Sequence, residues 1–267
     1  MDIKEFYLFK PNRFFKREKI EFDYESPSFL YGFSLFETVK LKGGNIYFFK
    51  EHMKRLKRGI EILDMDISIN SIEDILLKFI KRHQIIDGVI RISLYIHYNS
   101  ILLILKFSPP FSKENSPLSA FMFNWDYPLN VNPLLKSGNF LAYHLSLKKA
   151  LYNNCDIALI LRKKEAVEFS IGNLLFEKAQ KYFTPPLKVG CLNGIMRNFL
   201  LREKIVEEKT ISKEILGEID GLYLINSVRL INPVKELKGE KINLNFENPG
   251  FEKIRGKILD AISFQVF

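Results

Sequence analysis

A lysine set in an apolar run is the first candidate for chemistry in this sequence. Lys136 stands in Leu134-Leu135-Lys136-Ser137-Gly138-Asn139-Phe140-Leu141, beside small and polar residues with apolar ones on either side. An amine kept uncharged in such surroundings is a nucleophile toward carbonyls. A solvated lysine opening a helix is the alternative reading of the same octet. Lys148 and Lys149 follow on the same predicted helix, within Leu147-Lys148-Lys149-Ala150, and read as surface residues. A second candidate is Gly190-Cys191-Leu192-Asn193-Gly194-Ile195-Met196-Arg197, which precedes a helix expected over Gly194 to Glu207. The unpaired amides of a helix start bind anions. Arg55 offers a fixed fork of donors of the kind that suits phosphate, or it is one more solvated cation on a basic helix.

The elements that would position these residues are legible from periodicity. Phe33 to Leu41 and Ile46 to Phe49, on either side of Lys42-Gly43-Gly44-Asn45, read as a β-hairpin. Glu51 to Leu63 carries the helical stripe Met53, Leu56, Ile60, Leu63. Ser71-Ile72-Glu73-Asp74 resembles a capping box opening a second helix. Val89 to Tyr98 and Ile101 to Phe107 read as a strand pair turning at Asn99-Ser100. The polar stretch Ser108–Pro117, with three prolines, continues neither strand nor helix. It divides an N-terminal domain over 1–110 from a larger one over 118–267, with 111–117 as linker. In the second half the octet, after a loop at Asn130-Val131-Asn132-Pro133, leads into a helix through Tyr152. Strands are expected at Leu118 to Phe123, Ile157 to Leu161, Ala166 to Phe169, Leu174 to Phe176, Lys181 to Phe183, Leu222 to Asn226 and Arg229 to Val234, with a short helix at Ser212 to Leu216. Strands outnumber helices and mostly lie next to one another, so the class is α+β with mixed sheets.

Composition narrows the function classes. The 267 residues are 47% apolar and 13% aromatic, enough for one large domain or two of ordinary size. Lys+Arg minus Asp+Glu is 40 − 31 = +9, but the cations are spread along the chain and form no nucleic-acid-binding motif. Cys155 and Cys191 lack metal-ligand and redox spacing, and no two histidines are spaced as metal ligands, so no metal is expected. No apolar run approaches the about 20 residues of a membrane span, and the charged start Met1-Asp2-Ile3-Lys4-Glu5 lacks a signal-peptide core. A soluble, cytoplasmic protein with reduced thiols is expected, without nucleic-acid or membrane partners.

Four stretches between about Tyr31 and Val234 resemble, in order and spacing, the fold-type IV pyridoxal-phosphate enzymes: branched-chain and D-amino-acid aminotransferases and 4-amino-4-deoxychorismate lyase. The first is Tyr31-Gly32-Phe33-Ser34-Leu35-Phe36-Glu37-Thr38, followed by His52-Met53-Lys54-Arg55-Leu56. It implies Arg55 as a ligand of the cofactor phosphate. The second is the octet, which implies Lys136 as the Schiff-base lysine. Phe140 lies near the cofactor, where relatives often carry Tyr or Arg that can meet its phenolate oxygen. The third is Val167-Glu168-Phe169-Ser170-Ile171-Gly172-Asn173-Leu174, with Glu168 opposite the pyridine nitrogen and Ser170 and Asn173 at the turn or the phosphate. The fourth, Asn193 to Arg197, implies backbone donation from Ile195 and Met196 to the phosphate; Met196 stands where many aminotransferases have Thr. Asn226-Ser227-Val228-Arg229 further implies amides of Ser227 and Val228 offered to the substrate carboxylate.

The resemblance implies a D-amino-acid aminotransferase-like fold of two domains, pyridoxal 5'-phosphate as cofactor, a small amino- and carboxylate-bearing substrate, and a homodimer. Within it the short chain and the form of Asn193 to Arg197 favour the lyase, which makes 4-aminobenzoate and pyruvate for folate synthesis. An aminotransferase for branched-chain or D-amino acids is the second reading. A non-catalytic basic binding protein on the same scaffold is the third; it predicts no visible absorbance and salt-sensitive binding to nucleic acid.

Overall fold

The computed structural model describes residues 3–10, 13–21, 24–97, 100–110, 116–129, 132–239 and 243–263. Most of the linker read at 111–117 lies outside them, as do Asn130-Val131 of the expected loop and Tyr98-Asn99 at the expected turn. The chain divides into two compact units, one of Met1–Ser112 with Leu134–Asn139, the other of Lys113–Pro133 with Phe140–Phe264. Lys136, expected in the C-terminal domain, therefore belongs to the first unit. The reason is an isolated antiparallel bridge that pairs Ser137 with Leu35.

The first unit comprises β1 (Ile3–Lys10), β2 (Arg13–Arg17), α1 (Pro27–Tyr31), β3 (Ser34–Lys42), β4 (Asn45–Ile46), α2 (Phe49–Ile62), α3 (Ile69–Arg82), β5 (Gly88–His97) and β6 (Ser100–Ser108). Its strands form one antiparallel sheet in the order β2-β1-β6-β5-β3-β4. Strand side chains alternate between faces. Leu35, Val39 and Leu41 of β3 share a core with Met53, Leu56 and Ile60 of α2 and with the apolar stripe of α3. Glu37 lies in that same row of β3 and is fully buried, a placement that demands partners. The hairpin forms with a second strand of only two residues. Phe48 then adopts a left-handed φ of 55°, and α2 starts one residue later. The expected capping box at Ser71 lies inside α3, which starts at Ile69. At the far end of the sheet, the Glu5 carboxylate gathers Lys16, Tyr7, Arg82 and His83.

The second unit runs through β7 (Leu118–Asn124), α4 (Leu141–Tyr152), β8 (Ile157–Arg162), β9 (Glu165–Phe169), β10 (Gly172–Lys178), β11 (Lys181–Thr184), α5 (Ile195–Arg202), β12 (Glu207–Glu208), β13 (Gly221–Asn226), β14 (Leu230–Lys238), β15 (Asn243–Asn245) and α6 (Phe251–Ser263). The sheet order is β12-β11-β10-β13-β14-β7-β8-β9, with β15 on β14. β9 also pairs with the start of β10, through Phe169–Gly172 and Glu168–Asn173. That pairing joins the path's end to its middle and closes the ring β7-β8-β9-β10-β13-β14. β7 runs parallel to β8 and β14; the other ring pairs are antiparallel. α5 stops at Arg202, short of the expected Glu207, because Lys204 turns left-handed and the chain enters β12. The short helix expected over Ser212 to Leu216 is a 3-10 turn at Glu214–Glu218.

Candidate active site

Two polar clusters hold the candidate residues, one within each unit. In the first unit β4 covers only Leu41 and Lys42 of β3, so the strand's edge near Leu35 is open. The segment carrying Lys136 fills it. Phe36 N–H donates to the Lys136 carbonyl at 3.0 Å, and Gly138 N–H donates to the Ser34 carbonyl at 2.9 Å. A Cβ at Gly138 would lie 2.0 Å from Ser34 Oγ, so a larger residue here would have to turn the Ser34 hydroxyl aside. Lys136 thus sits on extended backbone ahead of α4, not on the helix itself. Its Nζ lies 4.7 Å from the centre of the Phe36 ring, which also carries the Arg91 guanidinium at 3.8 Å.

Behind that edge, Glu37 accepts Arg55 Nε on Oε1 and Arg55 Nη2 on Oε2, each at 2.7 Å, and His52 Nδ1 on Oε2 at 2.7 Å. Burial pushes the Glu37 carboxyl upward, but the Arg55 charge and hydrogen bonds, with the hydrogen bond from His52, outweigh it and hold it at about 2. An ionised carboxylate only accepts, so His52 Nδ1 carries the proton. His52 Nε2 is buried with no hydrogen-bond partner. Burial lowers the His52 pKa against the pull of Glu37, and the Arg55 and Lys136 cations lower it further. The imidazole is therefore neutral. The fork of Arg55, expected on a phosphate, is oriented by two bonds to Glu37, a bidentate geometry that fixes the plane of the guanidinium.

In the second unit, Glu168 on β9 is buried and ringed by donors. Tyr143 Oη donates to Oε1 at 2.5 Å, Leu192 N–H to Oε1 at 3.0 Å, and Asn173 Nδ2 to Oε2 at 3.1 Å. Asn173 Nδ2 also donates to the Leu192 carbonyl at 2.9 Å. Donors on both of its oxygens suit a carboxylate that stays charged. Phe140 lies at the N-cap position of α4 and stacks on Tyr143 at 4.3 Å between ring centres.

Gly194 caps α5 without a side-chain hydrogen bond, and the amides of Ile195 and Met196 open the helix. They have no carbonyl a turn earlier to bond. A Cβ at Gly194 would lie 1.8 Å from Asn173 Oδ1. Gly194→Ala is therefore expected to displace Asn173 from Glu168. Urea unfolding of the cofactor-free protein should show a loss of about 1–3 kcal/mol, typical of overpacking. Nearby, burial and then the Glu168 charge push the Cys191 thiol up to about 12, so it is not a nucleophile at neutral pH.

Two expected roles narrow and one changes. Ser170 Oγ accepts the Ala158 N–H at 3.1 Å, so it ties the β9–β10 turn to β8, the first of the two roles expected of it. Asn173 braces Glu168 against Leu192 and likewise has its amide committed within the protein. The Val228 N–H, expected on a substrate carboxylate, donates to Asn226 Oδ1 at 3.0 Å, as the Arg229 N–H does at 2.7 Å. This turn closes on itself through Asn226, which leaves Ser227 with the expected role. Four polar residues escaped the reading of roles from sequence: Glu37, His52, Arg91 and Tyr143. Glu37, His52 and Arg55 had a signal, since a carboxylate in the apolar row of a strand needs cations from the helix that covers it. Tyr143 had one too, one helical turn beyond Phe140.

Among the described residues no group of three or more His, Cys, Asp or Glu could hold a metal ion, and no helix is long and apolar enough to cross a membrane. The sequence profile described as Amino-transferase class IV matches residues 34–237. The chain belongs to this family.

Class IV members of differing activity resemble the chain to similar extents. It is 27% identical to the aminodeoxychorismate lyase of Bacillus subtilis over 242 aligned positions, covering 80% of each. It is 24% identical to the D-alanine aminotransferase of Staphylococcus aureus over 278 positions, covering 92% of this chain and 96% of that one. The branched-chain amino acid aminotransferase of T.th. in complex with N-(5'-phosphopyridoxyl)-L-glutamate superposes with a TM-score of 0.81 at 18% identity, over 97% of this chain and 93% of that structure. The fold is accordingly that of the fold-type IV aminotransferases, and membership implies a pyridoxal-phosphate-dependent enzyme.

Proposed function

We propose that this class IV enzyme is a lyase that converts 4-amino-4-deoxychorismate to 4-aminobenzoate and pyruvate. The observation that carries the pyridoxal-phosphate reading is Glu168, a buried carboxylate held by three donors. Such a group stays charged, and a protonated pyridine nitrogen is a cation that a charged carboxylate favours. Within the same unit as Glu168, Gly194, Ile195 and Met196 give a helix start suited to a phosphate, and within the first unit Arg55, its plane set by Glu37, is a cation of the kind that binds one. Pyridoxal phosphate would supply an aldehyde for the substrate amine and a ring that withdraws electrons from the adjacent carbon.

The residues of the chain do the rest. The Lys136 amine would hold the aldehyde carbon before substrate arrives and, once displaced, would take the proton from the carbon bearing the substrate nitrogen. General-base assistance of this kind is worth about 10² to 10⁴ in rate. In the lyase the enolpyruvyl oxygen leaves the neighbouring carbon with its bonding electrons, and the substrate ring becomes aromatic. Glu168 keeps its charge throughout.

The lyase branch rests on Met196 at the α5 start, where no hydroxyl supplements the backbone donors, and on the Bacillus subtilis relative. The aminotransferase reading draws on the D-alanine enzyme, which covers more of the chain. Incubation with aminodeoxychorismate is expected to yield 4-aminobenzoate, and D- or branched-chain amino acids with 2-oxoglutarate little glutamate. Glutamate without 4-aminobenzoate overturns the lyase reading.

A further inference from the structure

The Glu168 carboxylate does not face its surroundings evenly. Oε1 accepts both the Tyr143 hydroxyl and the Leu192 amide, while Oε2 accepts Asn173. A carboxylate oxygen offers two in-plane lone pairs, so the two Oε1 donors take both of its acceptor directions. Tyr143 is buried in the first turn of α4. Its ring is held by the Phe140 stack, with 25° between ring planes, so the hydroxyl is delivered by packing rather than by a mobile side chain. Leu192 N–H is fixed by the backbone, which Asn173 grips through the Leu192 carbonyl. The carboxylate is thus clamped from a helix, a loop and a strand at once.

We propose that Tyr143 is a positioning residue for the cofactor: by occupying Oε1 it turns Oε2 toward the pyridine nitrogen and keeps Glu168 ionised. The assignment rests on the pyridoxal-phosphate reading. It also gives Phe140 a purpose. Without a hydrogen-bonding group of its own, Phe140 acts through the phenol it supports. Where only space had to be filled, phenylalanine would serve without a buried hydroxyl to satisfy.

Tyr143→Phe keeps the ring and removes the donor. In the cofactor-free protein the protonation midpoint of Glu168 can be followed by its infrared carboxyl stretch, assigned by difference against Glu168→Gln. Loss of a donor to the charged form is expected to raise that midpoint by roughly one unit, and to weaken pyridoxal-phosphate binding roughly tenfold, read by the visible absorbance of the titrated protein. Phe140→Leu retains the hydroxyl but loosens it, and should move the midpoint the same way by less. That variant carries the test should Tyr143→Phe fail to fold. An unmoved midpoint, with or without a lower melting temperature, reduces Tyr143 to packing and overturns the proposal. A shifted midpoint with unchanged cofactor affinity overturns its link to the ring nitrogen. If wild-type protein shows no absorbance change with pyridoxal phosphate while the midpoint still shifts, the cofactor reading fails, and the positioning role with it, though the Tyr143–Glu168 coupling stands.

Discussion

Lys136→Ala is expected to remove the visible absorbance of the cofactor-loaded protein and to lower turnover by about 10³-fold or more, since in the proposed reaction one side chain supplies both the covalent hold and the proton transfer. The fold should survive. The structural work of this segment is done by backbone: the Lys136 carbonyl accepts Phe36 N–H, Ser137 bridges Leu35, and Gly138 N–H meets Ser34. An alanine preserves each of these, and the melting temperature checks it. Lys136→Arg should fail equally, because a guanidinium stays protonated at any working pH. Borohydride reduction of the loaded enzyme, followed by peptide mapping, identifies the attached residue. A label on Lys148 or Lys149 would sink the assignment of Lys136.

The largest effect on stability is expected at Glu37. Glu37→Ala leaves the Arg55 guanidinium, itself only 12% exposed, without its counter-charge and the buried His52 Nδ1–H without its acceptor. Breaking one partner out of a buried ionic network costs about 3–5 kcal/mol. The same carboxylate sets a pH dependence. Its folded pKa of about 2 lies below the ordinary 4.5, so its contribution is fully present above pH 4.5 and disappears as pH falls toward 2. The shift corresponds to an order of 3 kcal/mol. His52 acts in the same sense from a higher pH. Its folded pKa is lowered from 6.5, so below that pH the unfolded chain binds a proton the folded one resists, and stability declines with acidity. Urea midpoints measured between pH 8 and 3 should fall in wild type and fall less steeply in Glu37→Gln. Parallel curves would remove Glu37 from the account.

The family was legible because its four stretches combine ordinary periodicity with polar residues in fixed order. Glu37 to Arg55 and Lys136 to Phe140 can be read without knowing how the chain folds. What escaped depends on distant partners. Nothing local says that Ser137 will pair with Leu35, so Lys136 was placed with the helix that follows it rather than with the strand it completes. The Val228 amide is lost to Asn226 because an Asn side chain can mimic a turn carbonyl, a competition that sequence alone leaves undecided. The Ser71 capping box is overridden by the apolar stripe of α3, which starts two residues before it at Ile69. α6 had a clear signal, with Ile254, Ile258 and Ile262 at four-residue spacing and all buried, but it lies past the stretch the resemblance covers.

The closed ring of the second unit also carries an order of events. β7 joins its ring neighbour β14 through Leu118 and Val234, so a ribosome has made nearly all of this unit before that seam can be sewn. Until then the nascent chain holds β7 with one edge unclaimed, next to a linker rich in proline. Late, long-range closure slows folding. It also means that Glu168, tied in by the local β9–β10 turn, gains its strand neighbours early, while the ring around it is finished last.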